Sequence, residues 1–272
     1  MAASDSDRSL SIVVASNGAP GSVEACLAAL AGQLDGVEVI VHERPGALVP
    51  ELWRDGIDAA TGAAVALTIS PMRPAPDWVE RLRERLREDE VVAGAIEPGE
   101  GLRVRDWAEY FCRYAPDMRP FARRENPSIP GDNCAYRRHL LDRTRALYRD
   151  GFWEPEVNRA LRAEGVRLWH DPDVVVYQGR SAGFTAFVRQ RLVHGRAYGR
   201  QRGARLGTAR NAAGVVLAGI VPLVLIARTA REVFARRRLR LRLVLALPVL
   251  AAFDAAWAAG EAIGHLDALR RR

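Results

Sequence analysis

The sequence predicts an α/β protein: a mostly parallel sheet covered by helices over residues 1–205, then an Arg-rich helical tail over residues 206–272. Three observations lead there. Short β-branched runs alternate with stretches of helical period from residue 10 onward, the pattern of repeated βαβ units. Turn residues punctuate those runs. The charge then changes character along the chain: residues 1–179 hold 22 Arg against 29 Asp and Glu, a net −7, whereas residues 180–272 hold 18 Arg against 4 acids, a net +14.

Residues 10–15, LSIVVA, leave no room for a helical stripe, and SNGAPG behind them is turn chemistry, so a buried strand ends in a polar loop. Ser22 is placed to cap a helix with Val23, Cys26, Leu27 and Leu30 on one face, and residues 37–41 supply a second strand. The next helix starts at Pro50, carries Leu52, Trp53, Ile57 and Ala60, and stops at Gly62; AAVALTI follows as a third strand. In PAPDWVERLRERLRED, Asp77 and Glu80 form a capping box, Trp78, Val79, Leu82 and Leu86 make the buried stripe, and the alternating Arg and Glu are a solvated face. Periodicity fades over residues 100–130, where Pro116, Pro120, Pro127 and Pro130 interrupt; both a long active-site loop and a mere connection have this look. Glu154, Pro155 and Glu156 read as an N-cap, a proline at the first helical position and an acid in the first turn, with Val157, Ala160 and Leu161 inward and Gly165 closing the helix.

An apolar fraction of 49% is ample for a core and excludes disorder of the whole chain. Cys26, Cys112 and Cys134 are an odd set with no CxxC pair, which points to reduced, buried thiols. The opening MAASDSDRSL has acids where an export signal needs bases and no long apolar run behind it, so the first domain is expected to stay in the cytosol.

Two apolar segments, 212–227 and 243–264, flank a stretch with seven Arg between residues 228 and 242. The first, if helical, is only about 24 Å long against a hydrocarbon core of about 30 Å; the second contains Pro248, Asp254 and Glu261. Arg also crowds the near side of the first segment, so the positive-inside rule gives no orientation. Two spanning helices, a hairpin lying in the interface and a soluble helical hairpin all stay open. Every basic residue is Arg, and apolar runs interrupt the charge, which fits an anionic membrane surface and not nucleic acid.

Taken in order, the SIVVASNG strand and loop, a second strand ending in an acid, RDGIDAATGAAVALTI leading to PAPDWVERL, PGDNCAYRR at residues 130–138, GFWEPEVNRALRAEG, WHDPDVVVYQ and RQRLVHGRAYG resemble the family 2 glycosyltransferases. The resemblance covers roughly residues 10–200. It implies a Rossmann-like A-type glycosyltransferase domain followed by C-terminal membrane-associated helices. It places Ser16 and Asn17 beside the nucleotide and Glu43 where the family usually has an Asp that touches the base. Asn133 falls in the acceptor-side segment, and Gln190, Arg191 and Arg196 in a segment like the family's phosphate-side QxxRW motif. Counting back from Gly165 puts Glu154 at the position of the catalytic Asp, with Glu156 two residues on. Without the resemblance, both acids simply complement the helix dipole, and that dipole lowers a carboxylate's pKa, so a working base needs burial beside Trp153 to raise it again.

Two departures accompany the resemblance. The family's acid, any residue, acid motif, which holds a divalent metal against the diphosphate, is replaced by Ile69, Ser70 and Pro71, and the later His of that site falls near Gln178. No metal or other cofactor is therefore expected, and Arg73, just past the vacated motif, becomes the candidate for the electrostatic work on the phosphates. The expected activity is inverting transfer of a sugar from a nucleotide-sugar to a lipid-linked or cell-envelope glycan acceptor. The expected place is the cell membrane, with the transferase domain on the cytoplasmic side. The alternative is a catalytically inactive relative that binds a nucleotide, a glycan or a partner enzyme there.

Overall fold

The computed structural model describes residues 9–179 and 183–270, so most of the N-terminal stretch weighed above as an export signal lies outside the described residues. In chain order the elements are β1 (Leu10–Ser16), α1 (Ser22–Leu30), β2 (Val37–Glu43), α2 (Val49–Ala59), β3 (Ala64–Ile69), β4 (Met72–Pro74), α3 (Trp78–Arg85) and β5 (Val91–Pro98). There follow α4 (Val104–Tyr114), β6 (Arg124–Glu125), β7 (Asn133–Arg137), α5 (Arg138–Thr144), α6 (Glu154–Ala163) and β8 (Leu168–Gln178). The chain ends with α7 (Phe184–Ala204), α8 (Thr208–Leu217), α9 (Val221–Ala235) and α10 (Arg240–Arg270). Two compact units emerge: residues up to 99 with 117–179, and residues 100–116 with those beyond 179. The division differs from the expected boundary at residue 205, because both α4 and α7 pack with the tail.

The first unit is α/β. Its sheet runs in the order β2-β1-β3-β7-β5-β8-β4, with β6 beside β8. β1 pairs in parallel with β2 and β3, and β5 in parallel with β8, whereas β7 is antiparallel to both β3 and β5. Thus β1, β2, β3, β5 and β8 point one way, so the sheet is mostly parallel at its centre, as expected of an α/β unit, but mixed overall. Strand direction is set by which neighbours a strand finds, and no local periodicity in NCAYR carries it. β1 is buried on both faces, as its unbroken apolar run requires. α2 lies so close to it that a Cβ on Gly56 would stand 2.2 Å from Val13 Cγ1, so glycine there permits the contact.

Helix starts depart from the expected caps. Ser22 begins α1 behind Gly21, which is left-handed at φ 68°, and the Ser22 hydroxyl donates to Ala19 O at 2.6 Å and shares a hydrogen bond with Ser70 Oγ instead of capping. Asp77 is the N-cap residue of α3 but makes no side-chain cap bond; it pairs with Arg81 at 3.2 Å. α6 starts at Glu154 with Trp153 at the N-cap, one residue earlier than read. The stripe Trp78, Val79, Leu82 and Leu86 is buried as its spacing implies. Residues 100–130 hold a regular helix, α4, ahead of the prolines that hid it.

The second unit is helical. α7 and α10 meet through glycines: a Cβ on Gly195 would lie 2.3 Å from Trp257 O, on Gly199 2.3 Å from Glu261 O, and on Gly264 2.3 Å from Arg196 O. The two backbones therefore touch, an approach open only to residues without a Cβ. Arg191 with Asp254, Arg202 with Glu261 and Arg196 with Asp267 tie the same helices by charge. α8 and α9 form a pair bent by 67°. Among the described residues α10 is the one helix long and apolar enough, by length and composition, to cross a membrane, and the bent pair is a second if taken as one span.

Candidate functional site

β1 hands the chain to β2 on one side and, after α2, to β3 on the other, so the sheet has a topological switch point between β1 and β3. In open α/β sheets the crevice beyond the carboxyl ends of the strands at such a point is where ligands bind. Ser16 ends β1 and is paired with Glu43, which ends β2 with its side chain exposed. The Ser16 hydroxyl accepts from Gly18 N–H at 3.3 Å, and the Asn17 carbonyl accepts from Gly46 N–H at 3.3 Å, stitching the two loops together. On the other flank Ser70 N–H donates to Ala15 O at 2.9 Å, and the Ser70 and Ser22 hydroxyls are hydrogen-bonded at 2.8 Å. The place of the acidic motif is thus taken by a buried Ile69 and a buried pair of hydroxyls.

Arg73, in β4, reaches back to this edge. Its Nη1 donates to Ser70 O and Met72 O, both at 2.9 Å. No carboxylate lies within ion-pair distance of it among the described residues, and burial pulls the guanidinium below its ordinary pKa, opposed only by Cys26. Cys26 is itself pushed up to about 11 by burial, so it stays a neutral thiol. A cation partly desolvated and unanswered by a carboxylate gains from any anion that reaches it. Gly179 packs on the same edge: a Cβ at that position would lie 2.7 Å from Pro71 O, so glycine permits that approach, with Arg73 Nη2 at an ordinary 3.5 Å. Gln178 beside it is buried with neither amide atom hydrogen-bonded. Among the described residues no group of three or more His, Cys, Asp or Glu is placed to hold a metal ion.

Glu154, the first residue of α6, approaches the same edge beside the loop before β7. Because β7 is reversed, its first residue Asn133 pairs with Thr68 near the carboxyl end of β3. Gly131, just ahead, lies between Trp53 and Glu154: a Cβ there would meet the indole at 2.7 Å and the Glu154 carboxyl carbon at 3.2 Å. Trp53 is held by a hydrogen bond from Nε1 to Thr68 O at 3.1 Å. Burial first, and then the Glu154 charge, push the Cys134 thiol well above its ordinary value; burial, Cys134 and Glu154 do the same to Tyr136. Glu154 therefore sits over the start of β7. Glu156, two residues on in α6, meets Arg159 at 3.4 Å.

The remaining candidates stand elsewhere. Asn133 is fully buried: its Oδ1 accepts from Trp78 Nε1 at 2.8 Å, and its Nδ2 donates to Ala95 O at 2.9 Å and Val174 O at 3.0 Å. Its side chain joins α3, β5 and β8 from inside the unit. Gln190, Arg191 and Arg196 are in α7, in the helical unit, where Asp254 and Trp257 hold Arg191 and Asp267 holds Arg196. Ser16, Asn17, Glu43, Arg73 and Glu154 are the predicted residues gathered at one edge. Trp53, Gly131 and Ser22 belong to that edge and were missed: Trp53 fitted a core stripe, and only the PGDN turn hinted at Gly131.

No protein-family model and no curated protein matches the chain. Among solved structures it is similar to the crystal structure of A197 from STIV, with a TM-score of 0.41 and 11% identity, over 64% of this chain and 87% of that one.

Proposed function

We propose that the chain is a membrane-attached inverting glycosyltransferase of the A-type fold, moving a sugar from a nucleotide-sugar to a lipid-linked or cell-envelope glycan acceptor. The observation that carries this reading is the presence, along one sheet edge, of an Arg73 unanswered by a carboxylate and of the Glu154 carboxylate beside Gly131. The order of family-like segments and the switch point in a mixed α/β sheet support it. In this scheme Ser16, Asn17 and Glu43 face the nucleoside, and Arg73 meets the diphosphate. Glu154 takes the proton of an acceptor hydroxyl as its oxygen bonds to the anomeric carbon; the bond from that carbon to the diphosphate oxygen breaks, and the nucleoside diphosphate leaves with the electron pair and inversion. Arg73 stabilises the charge that develops on the leaving group, the work a divalent ion does elsewhere. Attachment to the cytoplasmic face of the membrane concentrates the enzyme near lipid-linked acceptors.

The test is a panel of nucleotide-sugars in a thermal-shift screen, followed by transfer assays on those that bind. A donor that raises the melting temperature and is turned over by the wild type but not by Glu154→Gln supports the enzyme. A second reading, an inactive relative that binds without turnover, is favoured by Ile69, Ser70 and Pro71 in place of the acids and by an Asn133 spent inside the unit. Binding without transfer would select it.

A further inference from the structure

α10 reverses the arrangement of a helix that faces water. Its buried face includes Asp254, Glu261 and His265, and each has a partner within the helical unit: Arg191 at 3.6 Å, Arg202 at 3.4 Å and Asn211 at 2.9 Å. Its exposed face is apolar. Leu241, Val244, Leu245, Pro248, Ile263 and Leu266 are exposed, Leu241 at 70%, and their spacing puts them on one stripe, joined across the middle by Ala255 and Ala259. Soluble proteins rarely present so long an apolar band, about 38 Å from end to end at the helical rise. The bent α8–α9 pair adds Val216, Leu217, Ile220, Leu223 and Val224, all between 53% and 79% exposed.

The bent pair lacks the geometry of a straight span. α8 has 10 residues and α9 has 15, about 15 and 22 Å, and they are bent by 67°. The side of α10 opposite its stripe is covered by α4 and α7. Near its start Arg242 stacks on Trp107 of α4, and farther on Cys112 of α4 meets Asp254 at 3.5 Å. From Trp257 to Ala268 it lies against α7, whose Arg196, Arg200 and Arg202 are exposed. Exposed guanidinium groups beside that half of α10 make hydrocarbon depth costly for it. Arg205 before α8, Arg210 in its first turn, and Arg228 and Arg231 within α9 put positive charge on both sides of the bend, which suits anionic headgroups on one surface.

We propose that the helical unit is a monotopic anchor: α10 lies along an anionic bilayer surface with its apolar stripe, and the α8–α9 bend, sunk into one leaflet, and no described helix crosses. The proposal rests on the membrane attachment above and gives it a form. Single cysteines Arg238→Cys, Arg270→Cys and Gly219→Cys in the full chain test it. They are reacted in spheroplasts with a membrane-impermeant maleimide before and after lysis, with the unsubstituted chain as control for the three native thiols. Arg238→Cys and Arg270→Cys, at the two ends of α10, are expected to react at the same stage, and Gly219→Cys to resist until detergent is added. Reaction of the two α10 ends from opposite sides would overturn the anchor, as would labelling of Gly219→Cys from the side opposite to them. Recovery of the chain in the soluble fraction would remove the attachment itself. Flotation gives a second readout: wild type should rise with vesicles of phosphatidylcholine and phosphatidylglycerol, and Leu245→Glu with Ile263→Glu, both exposed, should reduce this at least tenfold with an unchanged circular-dichroism spectrum. Undiminished flotation of that variant would overturn the role of the stripe.

Discussion

Replacing Arg73 by Ala probes the reasoning about the site most directly. Nη1 is already engaged with Ser70 O and Met72 O, which leaves Nη2 and Nε to meet phosphate oxygens. A hydrogen bond to a charged group contributes about 1.5–3 kcal/mol, so Arg73→Ala should weaken nucleoside diphosphate binding by about 10- to 150-fold. Stability should move less. Two carbonyls lose a donor at about 1 kcal/mol each, but a desolvated cation without a carboxylate is removed as well. The assay is titration calorimetry of UDP, GDP and the other nucleoside diphosphates in EDTA, with the matching nucleosides as controls, since these should bind both proteins alike. Arg73→Lys, which keeps the charge and loses the fork, should fall between. Diphosphate affinity unchanged in Arg73→Ala would refute the assignment, and affinity that appears only with magnesium or manganese would place a metal where Arg73 is argued to act.

Glu154→Gln should lower transfer by about 10²- to 10⁴-fold with donor affinity within a few fold, measured by initial rates and calorimetry; loss of activity in Glu156→Gln alone would shift the base by two residues. Transfer by the wild type should survive excess EDTA, and activity that disappears on chelation and returns with manganese would contradict this. Asn133→Ala should destabilise the α/β unit by about 3 kcal/mol or more in chemical denaturation, because Trp78 Nε1, Ala95 O and Val174 O are left unpaired inside; a stable but inactive variant would instead put Asn133 at the substrate. Gly199→Leu should lower the melting temperature of the helical unit by the equivalent of about 3 kcal/mol, since its Cβ meets Glu261 O at 2.3 Å. Gly219→Ala, with its nearest neighbour Val216 O at 3.7 Å, should stay within about 0.5 kcal/mol, and equal melting of the two variants would contradict the close approach of α7 and α10.

What the sequence determined by itself is local. The unbroken apolar run of β1, the stripe Trp78, Val79, Leu82 and Leu86, the closing Gly165 at φ 88° and the division of charge at residue 180 were all legible, because each depends on residues a few positions apart. The local pattern takes the first two strands to residues 15 and 41; they run on to Ser16 and Glu43, which the family resemblance singles out and the pattern does not. What only the tertiary structure decided depends on which distant segments meet. β7 takes its reversed direction from β3 and β5, and through it Gly131 and Glu154 reach the carboxyl edge of the sheet. The cap at Ser22 gave way to a hydroxyl 48 residues on. α4 joins a helical unit that begins again only after residue 179, because its partner α10 is more than a hundred residues away. The stripe of α10 could be counted in the sequence, but not which face was buried: Asp254, Glu261 and His265 turn inward because Arg191, Arg202 and Asn211 are there to pair with them, and that leaves the leucines outside.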